Sequence, residues 1–154
     1  MHRFNIVTGQ LPVGQDRSGY AWRGHRGMPG EVGLRWFGAS VYELPDGGWT
    51  FPYHYHHGVE EWLYVVAGAP TLRDPSGVRG LVAGDLVCFP SGPDGAHAVR
   101  GPGRVVMFSG VAAAEGASVS VYPDSDKLGT RSGEANDTHN FRRADSVDYW
   151  DGEQ

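Results

Sequence analysis

The chain has 154 residues and a formal charge of -5, and it contains 24 glycines and ten prolines. A chain of this length buries a hydrophobic core as a single domain without a disulfide or a structural metal. Its acidic balance argues against nucleic-acid and anionic-lipid partners, and no apolar run is long enough to span a bilayer. We therefore expect a small-molecule partner, no nucleic acid and no membrane.

The N-terminal sequence and the single cysteine both indicate in which cellular compartment the protein is expected. The first ten residues, MHRFNIVTGQ, lack the basic region and long apolar core of a signal peptide. Cys88 has no cysteine partner in the chain and lies within the apolar run LVCF, which predicts a buried, unreactive side chain in a reducing compartment. These features predict a cytoplasmic protein.

Short runs rich in β-branched and aromatic residues alternate with turn sequences along the chain. The runs are LRWFGASVYEL, EEWLYVVAG, GDLVCFP, GAHAVR, GRVVMFSGV and SVSVYP, and the turns include PDGG, RDPSG and SGPDG. No segment keeps a helical apolar period for three turns without a glycine or proline. The connections are too short for crossover helices, so we expect antiparallel pairing and an all-β sandwich or barrel.

We divide the chain into an N-terminal arm (1–30), a barrel (31–122) and a polar strap with a docking tail (123–154). The stretch PDSDKLGTRSGEANDTHN, from Pro123 to Asn140, is polar enough to predict a surface loop or an extended strap. Beyond it, Val147, Tyr149 and Trp150 interrupt a charged tail. Aromatic residues near a terminus are expected to dock onto another surface.

Metal-binding side chains are concentrated in GWTFPYHYHHGVEEWLYVVAG, from Gly48 to Gly68. Side chains alternate between the two faces of a strand, so His54 and His56 should share one face while His57 points to the other. The same alternation in the next strand puts Glu61 on the face of the apolar Leu63 and Val65, and Glu60 on the opposite, solvated face.

An ionised carboxylate on an apolar face is costly unless a cation compensates it, and two neutral imidazoles from the preceding strand are suitable co-ligands. This arrangement predicts a metal bound by His54, His56 and Glu61. A fourth ligand should come from a distant strand. His97 is the histidine in such a setting, because the others lie in the arm or the strap, namely His2, His25 and His139.

Two spacings in the chain resemble the sequence motifs of the cupin superfamily, particularly those of small single-domain bacterial cupins. The first is GX5HXHX4EX6G from Gly48 to Gly68, and the second is GX5PSGX4H from Gly84 to His97, with a slightly lengthened loop. The second motif often ends in Asn, whereas this chain has Gly101.

The resemblance implies a double-stranded β-helix, or jelly roll. It also implies one divalent transition metal per chain, Fe, Mn, Ni, Cu, Co or Zn, bound by His54, His56, Glu61 and His97.

Four protein ligands on an octahedral ion leave two positions for water, dioxygen or a bidentate substrate. We expect a metal-dependent enzyme acting on a small organic substrate, with a dioxygenase-like oxidoreductase favoured. The alternatives are an isomerase, a decarboxylase, a lyase, or a non-catalytic cupin that binds a small metabolite or sugar. Tyr42, Tyr53 and Arg35 lie on or near strands that should flank the site, but a one-residue slip in register would turn each away. No acid or base is assigned from sequence.

The outward face of the strand that carries Glu61 presents Trp62 and Tyr64, two aromatic residues that need cover. The N-terminal arm, the aromatic tail or a second subunit would each supply it. We therefore expect a homodimer.

Overall fold

The computed structural model describes residues 3–28, 37–111, 117–132 and 137–153. Arg35 lies outside these residues. The described chain is built from strands and a few single-turn 3-10 helices. The strands are β1 (Val13–Arg17), β2 (Tyr20–Met28), β3 (Phe37–Leu44), β4 (Tyr55–His57), β5 (Val59–Gly68), β6 (Thr71–Asp74), β7 (Gly77–Gly80), β8 (Leu86–Phe89), β9 (Ala98–Arg100), β10 (Gly103–Val111), β11 (Ser118–Tyr122), β12 (Lys127–Arg131) and β13 (Thr138–Arg142). The 3-10 helices are Pro93–Gly95, Pro123–Ser125 and Arg143–Asp145.

The strands pair antiparallel in three sheets. The largest has the order β1-β2-β3-β10-β5-β8, and the others have the orders β13-β12-β11-β4 and β7-β6-β9. A single bridge between His54 and His97 connects the edges of the two smaller sheets at β4 and β9. This is the antiparallel jelly roll of the cupin fold, and the all-β prediction is confirmed.

The main hydrophobic core includes the apolar side chains on one face of β5. Leu63 and Val65 on this face are fully buried, while Glu60 and Trp62 on the other face are exposed. The alternation predicted for β5 is therefore confirmed. Residues of the core come from both the large sheet and the β7-β6-β9 sheet: Trp22, Tyr42, Leu44, Leu63, Val65, Leu72, Leu81, Phe89, Val99, Val105 and Met107.

A second apolar cluster covers the outer face of the large sheet. Tyr64 packs there with Phe4, Ile6 and Leu11 from the N-terminal segment. The N-terminal segment therefore provides the expected cover for Tyr64. Trp62 keeps 41% of its surface exposed.

The regions flanking the expected barrel contain more regular structure than their sequences indicated. Segment 1–30 contributes β1 and β2 to the large sheet. The strap also forms strands, because β12 pairs with β11 and β13 pairs with β12. The expectation of a surface loop or an extended strap did not include this pairing, since β13 is exposed along its whole length. The proposed domain bounds stay a prediction.

Cys88 is exposed, so the expectation of a buried thiol was wrong. The run LVCF forms β8 at the edge of the large sheet, where Leu86 and Cys88 point outward and Phe89 points into the core. An apolar run at a sheet edge is buried on one face only. The tail also remains uncovered within one chain, as Tyr149 and Trp150 are both exposed.

Gly101 occupies a turn with no room for a side chain. A Cβ atom there would lie 2.2 Å from the carbonyl oxygen of Pro45, and the Gly101 amide donates to the Gly48 carbonyl at 2.9 Å. Glycine therefore fits this position where the motif often has Asn. No helix among the described residues is long and apolar enough to cross a lipid bilayer.

Candidate metal centre

His54 and His97 are held together by their backbones at the junction of the two smaller sheets. The His54 amide donates to the His97 carbonyl at 3.1 Å, and the His97 amide donates to the His54 carbonyl at 2.8 Å. A 3-10 turn ending at Gly95 precedes His97, and a Cβ atom at Gly95 would lie 1.8 Å from the carbonyl oxygen of Pro90. Only glycine permits this turn, which fixes where His97 enters the site.

Ser91 ties the loop of the second motif to the histidine strand. Its hydroxyl donates to the His56 carbonyl at 3.1 Å and accepts from the Gly58 amide at 3.1 Å. The Gly92 amide also donates to the His56 carbonyl, at 2.7 Å. These bonds fix the backbone of β4 and hence the direction of the His56 side chain.

Glu61 reaches the histidines from β5. It lies directly opposite Ser109 of β10, whose hydroxyl donates to Glu61 Oε1 at 2.7 Å. The other carboxylate oxygen, Oε2, lies 3.2 Å from His56 Nε2 and 3.4 Å from His97 Nε2. The carboxylate is thus held by one oxygen and presents the other to two imidazoles.

The ring orientations of two histidines are set by backbone carbonyls. His54 Nδ1 lies 2.8 Å from the Pro52 carbonyl, and His97 Nδ1 lies 2.9 Å from the Gly95 carbonyl. A carbonyl only accepts, so Nδ1 carries the proton in the neutral ring and Nε2 carries a lone pair. Second-shell bonds of this kind are typical of histidines that bind a metal through Nε2.

His97 Nε2 and Glu61 Oε2 are buried and have no hydrogen-bond partner within the described chain. With His97 neutral, an imidazole lone pair faces a carboxylate lone pair at 3.4 Å. Such a contact is repulsive unless a cation lies between the two atoms. The donor set therefore fits a bound cation.

Burial and neighbouring charges set the protonation state of these groups. Burial, with smaller contributions from His97 and His56, lowers the pKa of His54 to about 4, and burial also lowers the pKa of His97. Burial alone would raise the pKa of Glu61. The neighbouring His56 and His97 rings and the hydrogen bond from the Ser109 hydroxyl outweigh burial, bringing the pKa of Glu61 down to about 2. At neutral pH His54 and His97 are thus neutral imidazoles and Glu61 is an ionised carboxylate, as metal ligation requires.

One ligand atom each from His54, His56 and Glu61 lies within 4.8 Å of the others, so these three are positioned as ligands of a metal ion. His97 adjoins them, with its ring centroid 4.8 Å from that of His54. The structure therefore brings together the four residues selected from sequence. His57 points away and is exposed, as the alternation predicted.

Comparison with known proteins agrees with this geometry. Residues 40–110 match the family model described as a cupin domain. Residues 40–110 of this chain therefore form a domain of the cupin superfamily. No curated protein shows significant sequence similarity to this cupin.

Several solved structures share its fold. A candidate sugar phosphate isomerase from Acidithiobacillus ferrooxidans superimposes with a TM-score of 0.70 and 26% sequence identity, over 84% of this cupin and 81% of that chain. A cupin-superfamily sugar phosphate isomerase from Silicibacter pomeroyi gives a TM-score of 0.71 at 21% identity, over 97% and 98% of the two chains. A predicted oxalate decarboxylase from Thermotoga maritima gives 0.54 at 18% identity, over 64% and 91%. At the two lower identities the likeness shows the fold alone.

Three side chains around the site of this cupin were not selected from sequence. Ser109 binds Glu61, Ser120 Oγ lies 3.0 Å from His56 Nδ1, and the Tyr122 ring stacks on His54 with centroids 5.9 Å apart. Tyr122 is separated from His54 by most of the barrel sequence. Only strand register brings them together, and no local spacing signals it.

The structure also locates two of the tyrosines considered from sequence. Tyr42 is buried in the core, with its ring centroid 5.5 Å from that of Phe51. Tyr53 lies under the guanidinium of Arg73, which is 3.9 Å from the ring centroid, and Arg73 donates two hydrogen bonds to Asp124 at 2.5 and 2.8 Å. Tyr53 and Arg73 thus anchor the turn that follows Tyr122.

Proposed function

We propose that His54, His56, Glu61 and His97 bind one divalent transition metal per chain, and that this cupin is a metal-dependent enzyme acting on a small organic substrate. The observation that carries the proposal is the unpartnered contact between His97 Nε2 and Glu61 Oε2. When bound there, the metal would act as a Lewis acid toward oxygen substituents of the substrate.

Among the reactions open to such a site, we favour isomerisation of a hydroxy-carbonyl compound such as a sugar. This preference differs from the expectation drawn from the sequence, which favoured a dioxygenase. Isomerisation moves protons between neighbouring carbon and oxygen atoms, so it needs an acid or base beside the metal. Glu61 is unsuited, because its pKa of about 2 keeps it an ionised ligand. Tyr122, stacked on His54, is the side chain we assign to this role.

Similarity to the candidate sugar phosphate isomerase of Acidithiobacillus ferrooxidans supports the same choice, since it extends over 84% of this chain at 26% identity. Hydroxyl groups also lie beside the ligands, with Ser109 bonded to Glu61 and Ser120 beside His56. Polar surroundings suit a substrate rich in hydroxyl groups.

A dioxygenase is the second candidate, and two aromatic contacts favour it. The Phe89 ring stacks on His97 at a centroid distance of 3.8 Å, and the Phe51 ring lies 6.3 Å from that of His54. These rings give the inner wall of the site an apolar character. Three imidazoles and one carboxylate also suit Fe(II).

A metal exchange separates the two candidates. Mn(II)-loaded or Zn(II)-loaded protein should interconvert aldoses and ketoses, tested on a panel of free and phosphorylated sugars without dioxygen. The Tyr122→Phe variant should retain its metal but lose about a hundredfold in kcat, the usual contribution of a positioned acid or base. Product ratios by NMR and metal content by mass spectrometry provide the two readouts.

Three other outcomes would redirect the proposal. Dioxygen consumption by Fe(II)-loaded protein, with none for the Zn(II) form, would favour the dioxygenase. Tight sugar binding without turnover under any metal would favour a non-catalytic binding protein. Full kcat in Tyr122→Phe would remove Tyr122 from proton transfer and leave the metal site untouched.

We also propose that two copies of this cupin form a dimer through its uncovered aromatic residues. Trp62, Phe141, Tyr149 and Trp150 are all exposed in the single chain. Exposed tryptophan and tyrosine side chains are enriched at protein interfaces. Sedimentation equilibrium at micromolar concentration should show a dimer.

A pair of variants tests which surface forms this dimer. Replacing both Tyr149 and Trp150 by serine should shift the protein toward monomer, whereas Val82→Ser, at an exposed apolar residue of a loop, should not. A wild-type monomer at this concentration would contradict the dimer.

A further inference from the structure

The sheet face that carries His56 continues well beyond the metal site. Ser120 lies directly opposite His56 in the neighbouring strand, Gly129 lies opposite Ser120, and Asn140 lies opposite Gly129. Residues directly opposite one another in an antiparallel sheet project from the same face. The row therefore runs from a proposed metal ligand to the outer edge of the β13-β12-β11-β4 sheet.

The next row on this face carries positive charge. Tyr122 lies opposite Lys127, and Lys127 lies opposite Arg142. Lys127 Nζ is 5.1 Å from the centroid of the Tyr122 ring, which itself stacks on His54. Side-chain contacts thus connect the metal site through Tyr122 to Lys127. Arg142 lies beside Lys127 in the same row.

Gly129 leaves open space in the middle of the first row. A Cβ atom there would lie 2.9 Å from Asn140 Oδ1, 3.4 Å from Tyr122 Cε2 and 3.7 Å from Ser120 Cβ. Asn140, Tyr122 and Ser120 therefore converge over the glycine, which confirms that they share one face.

The cations on this face have no carboxylate partner among the residues that the structure describes. Lys127, Arg131 and Arg142 make no ion pair with any acid in the described ranges, and alternation puts all three on the His56 face. Three acids close to them in sequence are engaged with other residues: Asp124 with Arg73, Asp126 with Arg143 and Asp137 with His139. Three unpaired cations on one face are unexpected in a chain with a net charge of -5.

We propose that Lys127, Arg142 and Asn140 form a subsite for an anionic group, a phosphate or a carboxylate, of the substrate whose oxygens reach the metal. This inference rests on the proposed function and narrows it to anionic substrates. Arginine and lysine bind such groups by charge-assisted hydrogen bonds, and the asparagine amide adds a neutral donor. Lys127 is half-buried beside Tyr122, which strengthens its interaction with an anion.

A matched set of hexoses tests the subsite. Glucose, glucose 6-phosphate and glucuronate differ at C6, which carries an alcohol, a phosphate or a carboxylate. Isothermal titration of the Zn(II)-loaded protein should show at least one of the two anionic hexoses binding about tenfold or more tightly than glucose. The better of the two identifies the preferred anion. The Lys127→Ala/Arg142→Ala double variant should lose this preference and keep its zinc.

The Arg79→Ala/Arg143→Ala double variant is the control, because it removes the same charge from two arginines that form ion pairs away from this face. It should keep the preference. Equal affinity of the wild type for all three hexoses, or a preference that survives in Lys127→Ala/Arg142→Ala, would overturn the subsite. A wild type that binds no zinc yet prefers an anionic hexose would instead reject the proposed metal enzyme and retain the anion subsite.

Discussion

Alanine at His54, His56, Glu61 or His97 is expected to weaken metal binding severely, by about a hundredfold or more in affinity. Each substitution removes one donor from a set that the backbone holds in fixed orientation, so no other side chain replaces it. Competition with a colorimetric chelator measures the affinity, and mass spectrometry of dialysed protein measures the occupancy.

His57→Ala is the matched control, because His57 follows His56 directly and is exposed on the opposite face of β4. It should bind metal as the wild type does. Circular dichroism should show native β structure in all five variants, since the main core does not include these residues. Equal loss of metal from His57→Ala, or full occupancy in the other four, would contradict the assignment.

The four candidate ligands could be found from sequence because two of the arguments, strand alternation and residue spacing, depend only on neighbouring residues. Strand alternation alone puts Glu61 on the face of Leu63 and Val65, where an uncompensated carboxylate is costly. Spacing alone separates His56 from His57. These arguments need neither strand order nor register. His97 was selected by its strand-and-turn setting, and the resemblance to the cupin motifs supported that choice.

The surroundings of the ligands could not be found in this way, because they depend on register between distant strands. Ser109 meets Glu61 across the pairing of β10 with β5, and Ser120 meets His56 across the pairing of β11 with β4. A one-residue slip in either pair would turn the serine to the other face. The sequence alone does not determine the register between these strands.

The fold class was predictable, but the extent of the sheets was not. β12 and β13 are polar, and they form because β12 pairs with the edge of β11 and β13 then pairs with β12. Because both strands are polar, their composition resembles that of a loop. The prediction that Cys88 is buried was wrong for the opposite reason. An apolar run at the edge of a sheet has the same composition as a buried strand.

Acidification of the metal-free protein should lower its free energy of unfolding, because the site contains groups that resist protonation when folded. His54 titrates near 6.5 in an unfolded chain, and its pKa is about 4 in the folded protein. Between these values the unfolded chain binds more protons, so stability falls as the pH drops from 6.5 to 4. The full shift corresponds to about 3 kcal/mol.

Glu61 extends the same trend to lower pH, since its pKa is 4.5 in an unfolded chain and about 2 in the folded protein. Its contribution is present above pH 4.5 and is lost as the pH falls toward 2. Urea denaturation of metal-free protein at a series of pH values measures the slope. His54→Gln should reduce the slope between pH 6.5 and pH 4, where the buried His97 still contributes, whereas His57→Gln should leave the slope unchanged. A wild-type curve that is already flat in this range would show that His54 is not held neutral by its burial.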